Sequence, residues 1–249
     1  MGRAVEVQAA KQDGSTNNLE VLMTRSTPQW TWVGTASGVL FVVTQFAGFG
    51  TGAAARDFKR ITLTSPSSEV AESVATPVPT AAWVGGYVEV AASLAFLVFI
   101  ACLAAALRGA QAGPAWPSFT VLAAGVMVVA TSMIGYAAEA AAYLRAGDGI
   151  DSTTARALLD LANIAFVLGW SMLAILLLAA AGSHVLPRWL GIAAAALGVT
   201  FVIAFAAPSL PVGEIADLVL WVWIITVSVT LARRSAHRPD EKPIPAGEH

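Results

Sequence analysis

The chain has 249 residues, of which 57% are hydrophobic and 12% are charged, and its net charge at pH 7 is −2. Soluble domains carry about 25% charged residues, so this chain has too little charge to cover a surface that faces water. The small negative charge and the lack of a basic stripe with interleaved aromatic residues exclude a nucleic-acid partner. We therefore expect most of the surface to contact the lipid bilayer.

The N-terminal segment, residues 1–28, is polar and lacks the apolar core of a signal peptide. We therefore predict a soluble tail that is not cleaved, with the first membrane helix directing insertion. The single cysteine, Cys102, cannot form an internal disulfide.

Six apolar stretches follow, each with the length of about 20 residues that a helix needs to cross a bilayer. They are residues 29–50, 82–107, 119–143, 154–181, 189–207 and 215–231. Charge, Pro or Gly bounds each of them. The sequence thus predicts an all-α polytopic membrane protein, a bundle of six transmembrane helices over residues 29–234, with a disordered tail at 235–249. Gly34 and Gly38 in the first span predict close helix packing.

The distribution of basic residues predicts the orientation. Nine of the 14 Lys and Arg residues fall on the side of the N-terminus, and five fall on the other side. Because cytoplasmic segments carry the excess of Lys and Arg, both termini are predicted to be cytoplasmic. The Arg233–Arg234 pair directly after the last span is the strongest element of this bias. We therefore expect a multi-pass protein of the cell (inner) membrane.

The first outer loop, residues 54–81, is the longest connection between spans. Its stretch 62–80 is rich in Ser, Thr, Val and Pro, which is typical of a flexible linker but is also compatible with a lid or short hairpin over an outer cavity. Arg56, Lys59 and Arg60 run against the charge bias. They predict either a short amphipathic surface helix or a site for an anionic headgroup or a phosphate-bearing substrate.

Four carboxylates lie inside the apolar stretches: Glu89, Glu139, Asp160 and Asp217. An ionisable group in hydrocarbon is costly, so its default interpretation is functional. At a rise of 1.5 Å per residue, each lies about 6 to 10 Å below the outer surface. The four acids are therefore predicted to share the outer half of the membrane.

Glu89 is the strongest functional candidate among them. It is the deepest, and no basic residue lies within a helical turn of it in the sequence. A carboxyl in that setting is expected to hold a proton at neutral pH and to act as a proton donor. Asp160 and Asp217 are candidates for the base. Asp160 could instead form a structural pair with Arg156 or Asn163, and Glu139 and Asp217 could mark the headgroup level.

Aromatic and polar side chains near the acids predict a surface for substrate. Helical spacing puts Tyr136 on the face of Glu139. Three tryptophans lie nearer the middle of the membrane than an interfacial belt requires, so they either pack between helices or line a cavity beside the acids. The predicted substrate-binding residues are Tyr87, Tyr136, Glu139, Asn163, Trp170, Trp221 and Trp223.

Several chemistries are excluded by missing signatures. The three histidines, His184, His237 and His249, lie outside the predicted spans, so they cannot hold a haem within the membrane. The sequence has no P-loop, HExxH, GxSxG or CxxC motif. We therefore expect no metal and no cofactor, and neither an ATPase, a protease nor a redox relay.

Two strings carry a resemblance. LLDLANIAFVLGW in the fourth span and VLPRWLGIAAAALG at the start of the fifth resemble an uncharacterised group of bacterial six-helix membrane proteins. That resemblance covers residues 80–232 and implies the fold alone. The layout of acidic residues from different helices beside aromatic ones is similar to that of small integral-membrane terpene cyclases, which implies acid–base chemistry on a lipophilic substrate.

The first functional hypothesis is therefore an intramembrane enzyme of the cyclase or isomerase type that acts on a lipophilic small molecule. Glu89 would donate a proton and Asp160 or Asp217 would accept one. Aromatic faces, such as those of Trp170 and Trp221, would stabilise a cationic intermediate.

Two other hypotheses stay open. The second is a proton-coupled transporter or binder of lipophilic cations, which a chain of this size would perform as a homodimer. The third is a non-catalytic membrane partner or sensor. Many transporters are built from internal repeats, and the spans of this chain show none. We favour the enzyme for this reason and because three tryptophans lie near the middle of the membrane.

Overall fold

The computed structural model describes residues 27–55, 61–110, 113–183 and 185–236. Within these ranges the chain forms helices and no strand, as the sequence predicts. The helices are α1 (Thr27–Ala55), α2 (Ser67–Ser73), α3 (Thr80–Ala110), α4 (Trp116–Leu144), α5 (Ser152–Gly182), α6 (Arg188–Ala206) and α7 (Val212–Ala236). The basic residues Arg56, Lys59 and Arg60 lie outside the described residues, as does most of both predicted tails.

Six helices in the described part of the chain, all except α2, are long and apolar enough to cross a membrane. The number of long apolar helices predicted from the sequence is thus confirmed, and no predicted span reaches more than one residue beyond the ends of its helix. The helices extend by up to five residues beyond the predicted spans. Backbone hydrogen bonding continues through polar flanks that a hydropathy pattern does not count.

The six long helices form a closed ring. Each packs against the next in sequence, and α7 packs back against α1. Because each connection reverses the chain between consecutive long helices, neighbours in the ring run antiparallel. The closure between the first and last helices includes a hydrogen bond of 3.0 Å from the Thr35 hydroxyl to the Ser228 carbonyl. Large apolar side chains fill the interior, among them the fully buried Phe99, Ile100, Phe201 and Ile224.

Glycines allow the helices of this ring to approach closely. A Cβ atom on Gly34 would lie 2.7 Å from the Cβ of Cys102, and one on Gly38 would lie 2.2 Å from the Ser228 hydroxyl oxygen. This confirms the close packing predicted for the two glycines of the first span. α1 is therefore held tightly against both of its neighbours, α3 and α7.

Residues 61–79, named the cap here, fold onto one end of the bundle. Their helix α2 packs against α5, and Ile61, Val70 and Val74 of the cap are buried in an apolar cluster with Tyr143 and Leu159. The stretch is thus a folded segment with a short helix, in place of the linker or hairpin considered from the sequence. The end of the ring that it covers is called the cap end below.

The turn between α4 and α5 is tied to the cap through its backbone. The Gly147 N–H donates to the Val74 carbonyl over 3.0 Å. Gly147 has a φ of 81°, a left-handed conformation that favours glycine. A Cβ atom there would also meet the ring of Pro77 at 2.7 Å.

Candidate functional site

The four candidate carboxylates all lie toward the cap end of their helices. Measured along the helix axis at 1.5 Å per residue, each is about 8 to 14 Å from the helix terminus nearest the cap. The structure divides them into separate groups with different partners.

The first group, named the Glu89 cluster, consists of Gln45, Glu89, Tyr136 and Glu139. The Tyr136 hydroxyl donates a hydrogen bond to the Glu89 carboxylate and accepts one from the Gln45 amide, and the Glu139 charge lies close by. These side chains come from α1, α3 and α4. Three helices thus bring a carboxyl, a phenol and an amide into one hydrogen-bonded chain.

The absence of a side chain on Gly48 leaves room for Glu89 between α1 and α3. A Cβ atom on Gly48 would lie only 2.6 Å from the Glu89 Cγ. Glu89 itself is half-buried. One turn further along α3, the buried Ser93 satisfies its own hydroxyl by donating to the Glu89 carbonyl over 3.2 Å. The carboxyl therefore occupies a defined position against the backbone of α1.

The second group joins α5 and α7 through Trp170 and Asp217. The Trp170 indole N–H donates to the Asp217 carboxylate at 3.3 Å. Trp170 is buried, with its ring against the backbone at Gly213, where a Cβ atom would lie 2.3 Å from it. Phe166 packs edge-on against the same ring at a centroid distance of 5.2 Å. Asp217 thus fixes the orientation of a tryptophan in the bundle.

Trp221 joins α7 to α1. Its ring packs edge-on against Phe46 at a centroid distance of 5.2 Å. Trp221 lies one turn after Asp217 on α7, on the same face of the helix. The aromatic pair therefore lies beside the second group, at the contact between α7 and α1.

The third group, on α5, holds the cap. The Arg156 guanidinium forms a salt bridge of 2.9 Å with Asp160 and also donates to the carbonyls of Leu63, at 2.9 Å, and Ser65. Asn163 donates to the carbonyl of Ile61 at 3.2 Å. Asp160 thus forms the salt bridge with Arg156 that the sequence suggested as the alternative to a catalytic role. Together with Asn163, this pair anchors the cap.

Two other predicted residues lie apart from these groups. The Tyr87 side chain is 72% exposed, on the outside of the ring, where it would face lipid. Trp223 is buried and donates its indole N–H to the Leu190 carbonyl at 3.3 Å, which packs it against α6. The anion-site residues Arg56, Lys59 and Arg60 lie outside the described residues.

Gln45 is the member of the Glu89 cluster that was not predicted from the sequence. Gln45 carries no charge, so the pattern of ionisable residues inside the apolar stretches does not mark it. Its depth does, because it lies about 15 Å from the cap-end terminus of α1, near the level of Glu89. A buried amide needs hydrogen-bond partners as a carboxylate does.

The Glu89 cluster can hold a proton and move it over a short distance. Tyr136 can stabilise the Glu89 carboxylate when the proton leaves, since hydrogen bonds to charged groups are the stronger ones. Within the described residues, no group of three His, Cys, Asp or Glu side chains is arranged to hold a metal ion.

No known protein-family model matches the sequence, and no curated protein or solved structure is detectably similar to it. The two resemblances drawn from short strings and layout therefore add no evidence on function. Any functional conclusion rests on the site itself.

Proposed function

We propose that this chain is a multi-pass membrane protein that binds a lipophilic small molecule in the cap half of its helix bundle and acts on it by acid–base chemistry of the cyclase or isomerase type. The observation that supports the proposal best is the hydrogen-bonded chain from Gln45 through Tyr136 to Glu89. It joins a proton donor to a group that stabilises the resulting anion, inside a bundle of apolar helices.

In the proposed reaction, Glu89 transfers its proton to a double bond of the substrate, and the electron pair of that bond forms the new C–H bond. The resulting cation, either directly or after a second double bond attacks it and closes a ring, loses a proton from a neighbouring carbon, and the electron pair of that C–H bond forms the new double bond. The proton lost restores the acid, directly or through a second carboxylate. Protons and electrons balance without a co-reactant, so the reaction is a cyclisation or an isomerisation.

Two carboxylates were candidates for the base that removes the second proton, and the contacts favour Asp217. Asp160 is engaged by Arg156, which holds the cap. Asp217 contacts Trp170, whose neighbour Phe166 adds a further aromatic face. Aromatic faces stabilise a cation that passes beside them.

The test is deuterium incorporation into product. Purified protein in lipid nanodiscs is incubated in D₂O with a panel of linear lipophilic polyenes, and products are analysed by mass spectrometry. We expect a product isomeric with its substrate that carries solvent deuterium. Glu89→Gln is expected to lower the rate by at least about 100-fold, the usual contribution of a general acid. Tyr136→Phe should lower it by about tenfold, from the loss of one hydrogen bond to a charged group.

The matched control is Glu214→Gln. Glu214 is an exposed carboxyl one turn before Asp217 on α7, so its neutralisation should leave the rate unchanged. Full activity of Glu89→Gln on a substrate that the wild type converts would sink the assignment of Glu89 as the proton donor.

A second candidate function is proton-coupled transport or binding of lipophilic cations. The observation that favours it is the aromatic pair Phe46–Trp221 near the Glu89 cluster, since aromatic faces beside carboxylates attract cations. Proteoliposomes with an imposed pH gradient would be tested for uptake of tetraphenylphosphonium. Uptake that depends on Glu89 would support transport, and equal uptake by wild type and Glu89→Gln would exclude Glu89-dependent transport.

We further propose that the protein lies in the cell (inner) membrane with both termini in the cytoplasm and the cap outside. The excess of Lys and Arg at the end opposite the cap supports this orientation. The Glu89 cluster would then lie in the outer half of the membrane.

A further inference from the structure

The cap packs on the cap side of the Glu89 cluster. On α3, Trp83 packs against the apolar cluster of the cap, Gly86 follows one turn further into the bundle, and Glu89 one turn after that. On α4, Tyr143 belongs to the same apolar cluster, and the α4 members of the Glu89 cluster lie one to two turns below it. The cap therefore contacts two of the helices that carry the cluster, one to two turns away from it.

The space beside Gly86, near the cap end of α3, is called the gap here. α3 and α4 touch closely in the middle of the bundle, where a Cβ atom on Gly125 would lie 2.3 Å from Ile100. Toward the cap end, nothing in the described part of the chain lies within 4 Å of a Cβ atom placed on Gly86. The antiparallel register that pairs Gly125 with Ile100 brings Gly86 level with Glu139. The open space therefore adjoins the Glu89 cluster.

Besides the apolar cluster around Ile61, Val70 and Val74, the cap is held in place by polar contacts from one helix. Arg156 and Asn163 of α5 together donate to three backbone carbonyls of residues 61–65. The Arg156 and Asp160 side chains are 27% and 32% exposed, so this salt bridge is only partly buried. Partly solvated contacts of this kind open more readily than an apolar core. Release of the cap requires these contacts to break and the apolar cluster of the cap to separate.

We propose that the cap is a lid, that Arg156 is its latch, and that opening the lid connects the gap beside Gly86 to the aqueous phase. Through this opening a molecule could reach the Glu89 cluster from the cap side. The inference concerns access alone, so it stands or falls independently of the reaction proposed for the cluster.

The test measures the reactivity of a cysteine placed in the gap. Gly86→Cys is introduced together with Cys102→Ala, and the rate of labelling by a charged, water-soluble thiol reagent is measured on purified protein. When Arg156→Gln is added to this protein, we expect labelling to be about tenfold faster than with Arg156 in place, since the guanidinium makes several charge-assisted hydrogen bonds to the cap. Arg156→Lys, which keeps the charge but not the forked geometry, should give an intermediate rate.

Gly109→Cys is the matched control position. Gly109 lies on α3 at the opposite end of the bundle, is exposed, and has nothing among the described residues within 4 Å of its Cβ position. Its labelling rate should not respond to Arg156→Gln. Asn163→Ala provides a second, independent way to loosen the cap and should also accelerate labelling at position 86.

Two outcomes would overturn the proposal. Labelling at position 86 that is unchanged by both Arg156→Gln and Asn163→Ala would show that the cap does not control access. Equal acceleration at positions 86 and 109 would show that these side chains stabilise the whole bundle. Neither outcome would bear on proton transfer by Glu89, which the deuterium experiment tests separately.

Discussion

Glu89 has its position because the residue opposite it on α1 is a glycine. A Cβ atom on Gly48 would lie 2.6 Å from the Glu89 Cγ and 3.0 Å from the carbonyl oxygen of Gly85. The missing methyl group lets two helices approach and leaves space for one side chain of the candidate site. At this scale, helix packing and the geometry of the candidate site depend on the same atoms.

We therefore expect Gly48→Ala to lower the free energy of unfolding by about 1–3 kcal/mol, the usual cost of inserting a methyl group into a packed interior. It should also reduce the activity that depends on Glu89. The measurement is the thermal midpoint of purified protein in detergent, together with the deuterium assay.

Gly50→Ala is the control for this prediction. Gly50 lies on the same helix, is exposed, and has no described neighbour within 4 Å of its Cβ position. Because alanine favours a helix over glycine, Gly50→Ala should be neutral or slightly stabilising. Equal destabilisation by both substitutions would contradict the role assigned to the contact with Glu89.

At the scale of elements, the start of α5 determines where the latch of the cap lies. Asp151 is the N-cap residue of α5, and its carboxylate accepts a hydrogen bond of 3.0 Å from the Thr154 N–H. This bond from the backbone lowers the pKa of Asp151 below its ordinary value of 3.8. Arg156 follows in the second turn of the same helix, so a frayed N-terminus would displace it.

The stability contributed by Asp151 should therefore depend on pH. Because its pKa is lower in the folded than in the unfolded state, the contribution is present in full above the ordinary value of 3.8 and is lost as the pH falls through the lower folded-state pKa. We expect Asp151→Ala to lower the thermal midpoint at pH 7, and its difference from wild type to shrink toward pH 3. Asp151→Asn keeps an oxygen that can accept the hydrogen bond but removes the titrating carboxyl. The thermal midpoint of this variant should therefore lack the pH-dependent contribution of Asp151. A difference between alanine and wild type that is constant with pH would contradict the prediction.

The contact between α1 and α7 that closes the ring contains an unsatisfied polar group. The Ser228 hydroxyl is fully buried and has no hydrogen-bond partner among the described residues. Its oxygen lies where a side chain on Gly38 would stand. A buried group without a partner costs about 1–3 kcal/mol.

We expect Ser228→Ala to be neutral or to stabilise the protein by about 1 kcal/mol. Gly38→Ala alone should destabilise it by about 1–3 kcal/mol through the clash. The double variant should recover part of that loss, because the hydroxyl oxygen is gone. The remaining loss comes from Phe99, which would still lie 2.8 Å from the new Cβ atom. Chemical denaturation of the four proteins measures this coupling, and strictly additive effects would argue against a direct contact.

At the scale of the whole molecule, the proposed topology has six spans, which would place the two chain ends on one side of a membrane. The cap would lie on the other side, because it follows the first span. The bias of Lys and Arg then favours cytoplasmic ends.

Reporter fusions test this topology. A fluorescent protein that matures in the cytoplasm should fluoresce when fused to either terminus, and alkaline phosphatase, active only outside, should be silent there. Alkaline phosphatase inserted into the cap should be active. The reverse pattern would invert the topology and place the Glu89 cluster in the inner half of the membrane.

The sequence predicted the six helices well because a membrane span is a local property. About 20 consecutive apolar residues suffice to identify one, and no long-range contact is needed. Glu89, Tyr136 and Glu139 were also selected from their depth and helical spacing alone. The hydrogen bond between Tyr136 and Glu89 could not be predicted, because depth along two helices does not give their rotation relative to each other.

The sequence by itself determined the all-helical class, the number of long apolar helices and the presence of carboxylates near one end of them, since these depend on composition and on distance along the chain. The tertiary structure alone decided which partners each carboxylate contacts. It paired Glu89 with Tyr136 and Gln45, assigned Asp160 to Arg156 and the cap, and turned Asp217 toward Trp170. The physical reason is that such partnerships depend on how closely and at what rotation helices pack, which side-chain shape decides across residues far apart in sequence.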